Sequence, residues 1–521
     1  MMKTVEIISV AVIALTGVFA SLRHLMMLQQ SSYYLSRYMK WLKGAFGKRT
    51  VTALIALAAA VLFTSLGWTI PLAVLAALCL ARLYVSVLDR KKAIKKLVLT
   101  ARVKRLLFTE CLIFVCAVTL GALFGKGFFI AAEVLSLAAP VTVTAARIVN
   151  TPFEKAVAAA YIADAKKILA AHSGMKTVGI TGSYGKTGTK SILLRILSER
   201  YNTVATPESY NTPLGVVRTV RGNLTPPTEV FIAEMGAKKK GDIDEICRIC
   251  NPDIGIITSI GMQHLETFGN IETVLSTKLE LADSVKKRGG KLYFNADNDM
   301  LAEKAEEYGA VTYGTLKSAA VRAKNISYGP WGLTFDLVKG DLVLPLKTSL
   351  LGKHNALNIT AAAAVALDLG ESPEDIAFAV SSLRPVEHRL QMRPYINGST
   401  LLDDAYNSNP AGCLEAINVL GSFKDMKKVI VTPGLVELGA IEYETNRTVG
   451  KAAAEKCDIL IFVGKKRSEP LLKGVKDALT GSPERVLTVD RFSDAVTLLG
   501  EICDENTVVL FENDLPDNYA G

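Results

Sequence analysis

The segment that most constrains this chain is Val178-Gly179-Ile180-Thr181-Gly182-Ser183-Tyr184-Gly185-Lys186-Thr187. A short apolar run ends in a glycine-bearing turn. Lys-Thr then opens a helical pattern through Ser191, Ile192, Leu193, Leu194, Arg195, Ile196 and Leu197. That order is a strand, a loop and a helix N-terminus, where backbone N–H groups can wrap a polyphosphate. Gly182, Ser183, Gly185, Lys186, Thr187 and Gly188 are the candidate phosphate contacts. Lys186 supplies charge and Thr187 a hydroxyl for Mg²⁺. The spacing departs from G-x-x-x-x-G-K-[ST], because position 180 is Ile.

Charge divides the 521 residues in two. The net charge is +10, but residues 1–155 hold 19 Lys and Arg against 5 Asp and Glu, and the rest hold 41 against 45. The basic character is therefore local to the N-terminal part, which argues against a nucleic-acid partner. That part has apolar runs near residues 4–22, 50–66, 70–88, 106–124 and 128–149, each close to the ~20 residues a bilayer core requires. Two basic loops, one with Arg23, Arg37, Lys40 and Lys43 and one with Arg90, Lys91, Lys92 and Lys95, separate them. The positive-inside rule puts both loops in the cytoplasm. The expectation is a multi-pass protein of a bacterial cell membrane, with about five spans and everything after Asn150 facing the cytoplasm.

From Thr151 onward, 371 residues suffice for two domains. Apolar runs alternate with helical patterns: Val230–Ala233 ends at Glu234, Ile254–Ile257 at Thr258, and Lys291–Phe294 at Asn295. The expectation is a mostly parallel sheet with helices on both faces and polar residues at the carboxyl ends of its strands. Glu234 stands where a carboxylate can share a metal with the phosphate loop. The one CxxC, Cys247 to Cys250, ends an amphipathic helix pattern and reads as buried thiols, because a structural zinc needs four ligands.

Further downstream, His264 lies in Gly261-Met262-Gln263-His264 just past a strand end, and Lys278 follows on a helix. With Lys186, Thr187 and Glu234 these residues resemble the Mur ligase family, the ATP-dependent enzymes that build the peptidoglycan stem peptide. The resemblance continues in order through Gly352-Lys353-His354-Asn355-Ala356-Leu357-Asn358, His388-Arg389, Asp403-Asp404-Ala405-Tyr406-Asn407-Ser408-Asn409-Pro410 and Gly434-Leu435-Val436-Glu437-Leu438-Gly439. Within the family the last two strings look most like the D-alanyl-D-alanine-adding branch. Two departures stand out: apolar runs occupy the place of a uridine-binding domain, and Phe511-Glu512-Asn513-Asp514 stands where that branch has a Lys-Gly-Ser-Arg-like segment.

The apolar runs and the resemblance together give an expected α/β chain: a helical membrane domain (1–150) from the runs, then, from the resemblance, a linker helix (151–172), a P-loop parallel-sheet ATP-binding domain (173–385) and a smaller Rossmann-like domain (386–521). The resemblance implies ATP and two Mg²⁺ ions as cofactors. Lys186 and Arg389 would hold the γ-phosphate, Thr187 and Glu234 one Mg²⁺, and His264 with a carbamylated Lys278 the second. Asn355 and Asn358 would face the adenine and Asp404 the nucleotide. Asn211, Thr212, Tyr406, Asn407 and Asn409 would line the substrate site. The partners implied are a muramoyl-peptide-like acceptor, an amino acid or dipeptide donor, and the membrane. Other readings are a ligase acting on a lipid-linked acceptor, and a transporter or scaffold carrying an ATP-binding module.

Overall fold

The computed structural model describes residues 21–31, 33–44, 96–122, 139–207, 210–261, 265–405, 408–436, 438–465, 467–478 and 484–513. They fall into two units, residues 1–160 and residues 161–520.

In the second unit, β1 (Lys176–Thr181) buries every residue after Lys176. Such unbroken burial on both faces belongs to a parallel strand covered on both sides. The strands that join it are β2 (Thr203–Ala205), β3 (Val230–Glu234), β4 (Ile254–Ile257), β5 (Lys291–Asn295), β6 (Val311–Gly314), β7 (Val321–Gly329), β8 (Gly332–Lys339) and β9 (Leu342–Thr348). The sheet order is β2-β3-β1-β4-β5-β6-β7-β8-β9. It is parallel from β2 to β7. It then turns antiparallel through two hairpins, β7–β8 and β8–β9. No reading of the sequence anticipated that extension.

Alternation along β3 shows how both faces are filled. Val230 and Ile232 enter one core and Phe231 and Ala233 the other, as a period of two requires. The first core includes Ile192, Leu193 and Ile196 of the helix after the phosphate loop and the Ala361–Ala366 run of a later helix. Small residues in that run let this helix (His354–Leu369) lie close to the sheet. The second core includes Val216 and Val220, then Ile243, Ile246, Cys247 and Cys250, then Leu281 and Val285. The CxxC thiols are buried, as expected, and burial pushes the Cys247 thiol up to about 12.

A second sheet has six strands: β10 (Gln391–Pro394), β11 (Thr400–Asp404), β12 (Lys427–Thr432), β13 (Ile459–Val463), β14 (Arg485–Val489) and β15 (Thr507–Glu512), in the order β10-β11-β15-β12-β13-β14. Only β10 runs antiparallel to its neighbour. Leu402, Ile430, Leu460 and Leu510 face one core, and Leu401, Val429, Ile461 and Val509 the other. The mixed α/β architecture with two largely parallel sheets agrees with the expectation.

The first unit holds α1 (Leu35–Gly44), α2 (Ala101–Ala122) and most of α3 (Ala139–Ala171). Its core gathers Leu25, Leu28, Tyr38, Leu106, Val143 and Ala146. Here the membrane expectation must be corrected. Among the described residues, no helix is long and apolar enough to cross a membrane. The run near 106–124 falls on α2, which opens with Arg102, Lys104 and Arg105 and buries Glu110. The run near 128–149 ends inside α3, which continues through Arg147, Asn150, Pro152 and Glu154, and Glu154 binds Arg105 at 2.6 Å. Within the two runs, Glu110 and Arg147 put charge into the apolar stretch that a span needs. Residues 4–20, 50–66, 70–88 and 128–138 lie outside the described residues. For the described residues the multi-pass membrane location and the membrane partner therefore do not stand, and the lipid-linked acceptor and transporter readings are not carried further.

Candidate active site

The phosphate loop joins β1 to α4 (Lys186–Leu197). Gly182 has φ +147, and a Cβ there would overlap Thr258 Oγ1, so the turn requires glycine. Gly185 caps α4 in the left-handed region, with φ +83. The loop is pinned to the end of β4: the Ser183 N–H donates to Ser259 O at 2.8 Å and the Tyr184 N–H to Ser259 Oγ at 2.8 Å. Ser183 Oγ receives the Gly261 N–H at 3.0 Å. A loop held this firmly presents its shape without ligand-induced ordering.

Lys186 folds back over the loop and donates to Gly182 O at 2.6 Å and Ser183 O at 3.0 Å. Burial, with Arg389 nearby, lowers its ammonium to about 8 against the opposing pull of Glu234. Arg389, from the segment between the two sheets, is thus near enough to the phosphate loop for its charge to act on Lys186.

Glu234, the last residue of β3, is the hub. It is 1% exposed and accepts from Thr187 Oγ1 at 3.1 Å and Asn211 Nδ2 at 3.1 Å. Lys190 Nζ lies 2.9 Å from its Oε2, with both side chains almost fully buried. Hard oxygen donors from Thr187 and Glu234 converging beside a phosphate loop suit Mg²⁺. Among the described residues, no group of three His, Cys, Asp or Glu is arranged to hold a metal. Lys278, 4% exposed on the helix Ile271–Lys287, has its ammonium lowered to about 7, first by burial and then by Lys186. Asn358 sits over the loop from the first turn of its helix: Thr189 Oγ1 donates to its Oδ1 at 3.3 Å, and its Nδ2 donates to Asn355 Oδ1 at 3.4 Å.

The second sheet brings its own carboxyl ends to the face that carries Arg389. Asp403 accepts from His388 Nδ1 at 2.9 Å and Arg393 at 2.8 Å, while Asp404 Oδ1 accepts the Leu390 N–H at 3.0 Å. His388 and Leu390 both have positive φ, so the chain turns sharply on either side of Arg389. The Gly434 loop is fixed by the buried Asn446, which receives the Leu435 N–H at 2.8 Å and donates to Leu435 O at 3.0 Å.

Comparison with known proteins agrees with this arrangement. The Mur ligase middle domain matches residues 180–366, and the Mur ligase glutamate ligase domain matches residues 388–512. The chain belongs to the Mur ligase family. This Mur ligase is 31% identical over 296 residues to the UDP-N-acetylmuramoyl-tripeptide-D-alanyl-D-alanine ligase of Bacillus subtilis (strain 168), a stretch covering 56% of this chain and 63% of that protein. It thus spans less than two thirds of that relative. It is also similar to the crystal structure of MurF from Acinetobacter baumannii, with a TM-score of 0.62, 26% identity, and coverage of 68% of this chain and 77% of that one. The MurF ligase from Thermotoga maritima in complex with ADP gives a TM-score of 0.61 at 26% identity, covering 68% and 80%.

Thr187 and Asn211 meet at Glu234, Asn358 packs against Gly188 and Asn355 beside the phosphate loop, Lys278 is close enough to feel the charge of Lys186, and Arg389 and Asp404 lie on the second sheet's side. His264, Tyr406, Asn407 and Glu437 lie outside the described residues. Thr212 and Asn409 have a local duty as helix caps, accepting from Gly215 N at 3.2 Å and Gly412 N at 2.9 Å. Lys190 was missed. Its signal was its place four residues after Lys186 and three after Thr187, on one face of α4. Asn446 was missed too, because its partner loop lies eleven residues earlier and no local pattern announces it.

Proposed function

We propose that this chain is an ATP-dependent amide ligase of peptidoglycan precursor synthesis, joining D-alanyl-D-alanine to a UDP-N-acetylmuramoyl tripeptide. The family supports the ligase chemistry, the name of the B. subtilis relative supports the substrates, and the ADP complex of the T. maritima relative supports the nucleotide. The observation that carries the reading is the meeting of Thr187 and Glu234 beside the phosphate loop, with Lys186 folded over the loop and Arg389 near enough to act on its charge.

The acceptor carboxylate attacks the γ-phosphorus of ATP and ADP leaves, giving an acyl phosphate. The amine nitrogen then attacks the acyl carbon, phosphate leaves, and the ammonium protons pass to solvent or a base. The first step sets an anion against a polyanion, so cations must be fixed beforehand. Lys186 and Arg389 are the fixed cations. Gly182, Ser183 and Gly185 offer backbone N–H groups, and Asn355 and Asn358 flank the loop from the adenine side. Mg²⁺ held by Thr187 and Glu234 would neutralise phosphate charge. Lys190 and Thr187 both meet one oxygen of the Glu234 carboxylate, while Asn211 holds the other. Lys278 has an amine that is half neutral near pH 7, the form that takes up CO₂, and a carbamate there would replace a cation with oxygen donors. Asp404 meets the nucleotide from the second sheet, so turnover requires the two sheets' ends to stay together.

Phosphate release assayed with UDP-muramoyl tripeptide, ATP and D-alanyl-D-alanine tests the reading. Release that needs all three is expected. Turnover with other amines or acceptors, and none with these, would refute the substrate assignment and leave the ligase chemistry standing.

A further inference from the structure

Asp404 and Glu512 are the last residues of β11 and β15, and the parallel register sets them opposite each other. Register partners in a parallel pair point to the same face about 4.8 Å apart. Glu512 is completely buried. Its Oε1 accepts a hydrogen bond from the Ser408 hydroxyl. Its Oε2 receives none from any N–H or O–H among the described residues. The polar groups beside Glu512 are the Asp404 carboxyl and the Cys413 thiol. The next residue locks the backbone: the Asn513 N–H donates to Asp404 O at 3.2 Å and its Nδ2 to Gly434 O at 2.7 Å.

Two carboxyl groups side by side, with Glu512 fully buried and Asp404 partly so, do not both ionise, so one proton stays with the pair. The surroundings decide which group keeps it. Asp404 accepts the Leu390 N–H at 3.0 Å and has Arg389 and His354 near it. Glu512 has only the neutral hydroxyl of Ser408 and the thiol of Cys413. The other charged groups at this place are Asp403, already bound to His388 and Arg393, and Glu415, which receives the Lys353 N–H. The charge therefore rests on Asp404 and the proton on Glu512, whose Oε2 becomes a donor.

We propose that Glu512 is a positioning residue that serves as a neutral hydrogen-bond donor to Asp404, fixing the Asp404 carboxylate toward Arg389 and His354. Burial, with the Asp404 charge beside it, holds the Glu512 carboxyl well above the usual carboxylate range, in keeping with that role. The inference rests on the nucleotide assignment of Asp404 only for its functional consequence. The protonated carboxyl itself is independent of any ligand.

Infrared spectra of the full chain at pH 7.5 should show the carbonyl band of a protonated carboxyl group that disappears in Glu512→Gln. ATP affinity with Mg²⁺, measured by calorimetry, gives the functional readout. Gln keeps a neutral donor, so Glu512→Gln should bind ATP within about threefold of the native chain. Glu512→Ala leaves Asp404 without that donor and should weaken binding by about tenfold or more, the usual loss for a hydrogen bond to a charged group. Absence of a band that depends on Glu512, or ATP binding in Glu512→Gln as weak as in Glu512→Ala, would overturn the inference. If Glu512→Ala does not fold, the band and the Glu512→Gln affinity decide alone. Failure of the native chain to bind ATP would instead refute the nucleotide assignment, and the band would still report on the pair.

Discussion

Replacing Lys190 with Met gives the sharpest test of how the metal-side carboxylate is held. Lys190 and Glu234 are 2.9 Å apart with side chains 5% and 2% exposed. At an effective dielectric of about 20, the gross attraction at that distance is about 6 kcal/mol, most of it offset by the desolvation of two ions. Removing one partner forfeits the attraction and leaves the other ion buried, which costs about 3–5 kcal/mol. Glu234 keeps the Thr187 hydroxyl and the Asn211 amide, so the lower end, about 3 kcal/mol, is expected for Lys190→Met. Glu234→Gln should cost a similar amount by stranding Lys190. The double variant removes both charges and should recover about 2 kcal/mol relative to the sum of the singles. Hydrogen exchange of peptides spanning residues 176–197 measures this directly. Each single variant should lose about two orders of magnitude of protection, and the double variant less than the product of the two. Strictly additive losses would show that the two side chains are held independently, and the hub description of Glu234 would be wrong.

Lys278 carries a pH signature. Its ammonium is near 7 in the folded chain and 10.5 when unfolded, so between those values the unfolded chain binds the extra proton and stability rises with pH. The contribution approaches about 1.4 kcal/mol per pH unit across that window, and Lys278→Met should remove it from the denaturation profile measured between pH 7 and 9.5. Lys278→Ala should lose ligase activity by orders of magnitude and recover part of it with added short carboxylates; full activity without them would make this lysine a packing residue only. A Cβ at position 188 would lie 2.9 Å from Asn358 Nδ2, so Gly188→Ala should displace Asn358 and weaken ATP binding by about 1–3 kcal/mol in calorimetry. Asn446→Ala should cost about 2 kcal/mol in thermal denaturation, because two buried groups of Leu435 lose their partner.

The phosphate loop was legible because its chemistry is local. A strand, a glycine turn and Lys-Thr at a helix start are neighbours in sequence, and sterics at Gly182 and Gly185 leave little choice of geometry. The parallel cores were legible for the same reason: Val230–Ala233 and Ile254–Ile257 are too uniformly apolar for any strand but one covered on both faces. Of the apolar N-terminal runs, the two that reach the described helices misled, since hydropathy alone does not weigh a charge such as the buried Glu110 within one of them. What only the tertiary structure decided is which charges meet. Lys190 reaches Glu234 across 44 residues, Arg389 comes near enough to Lys186 to act on its charge across about 200, and Glu512 comes beside Asp404 across more than 100. Such pairings depend on strand order and register, which sequence spacing does not encode. A buried carboxylate becomes an anchor or a proton donor only when the fold chooses its neighbours.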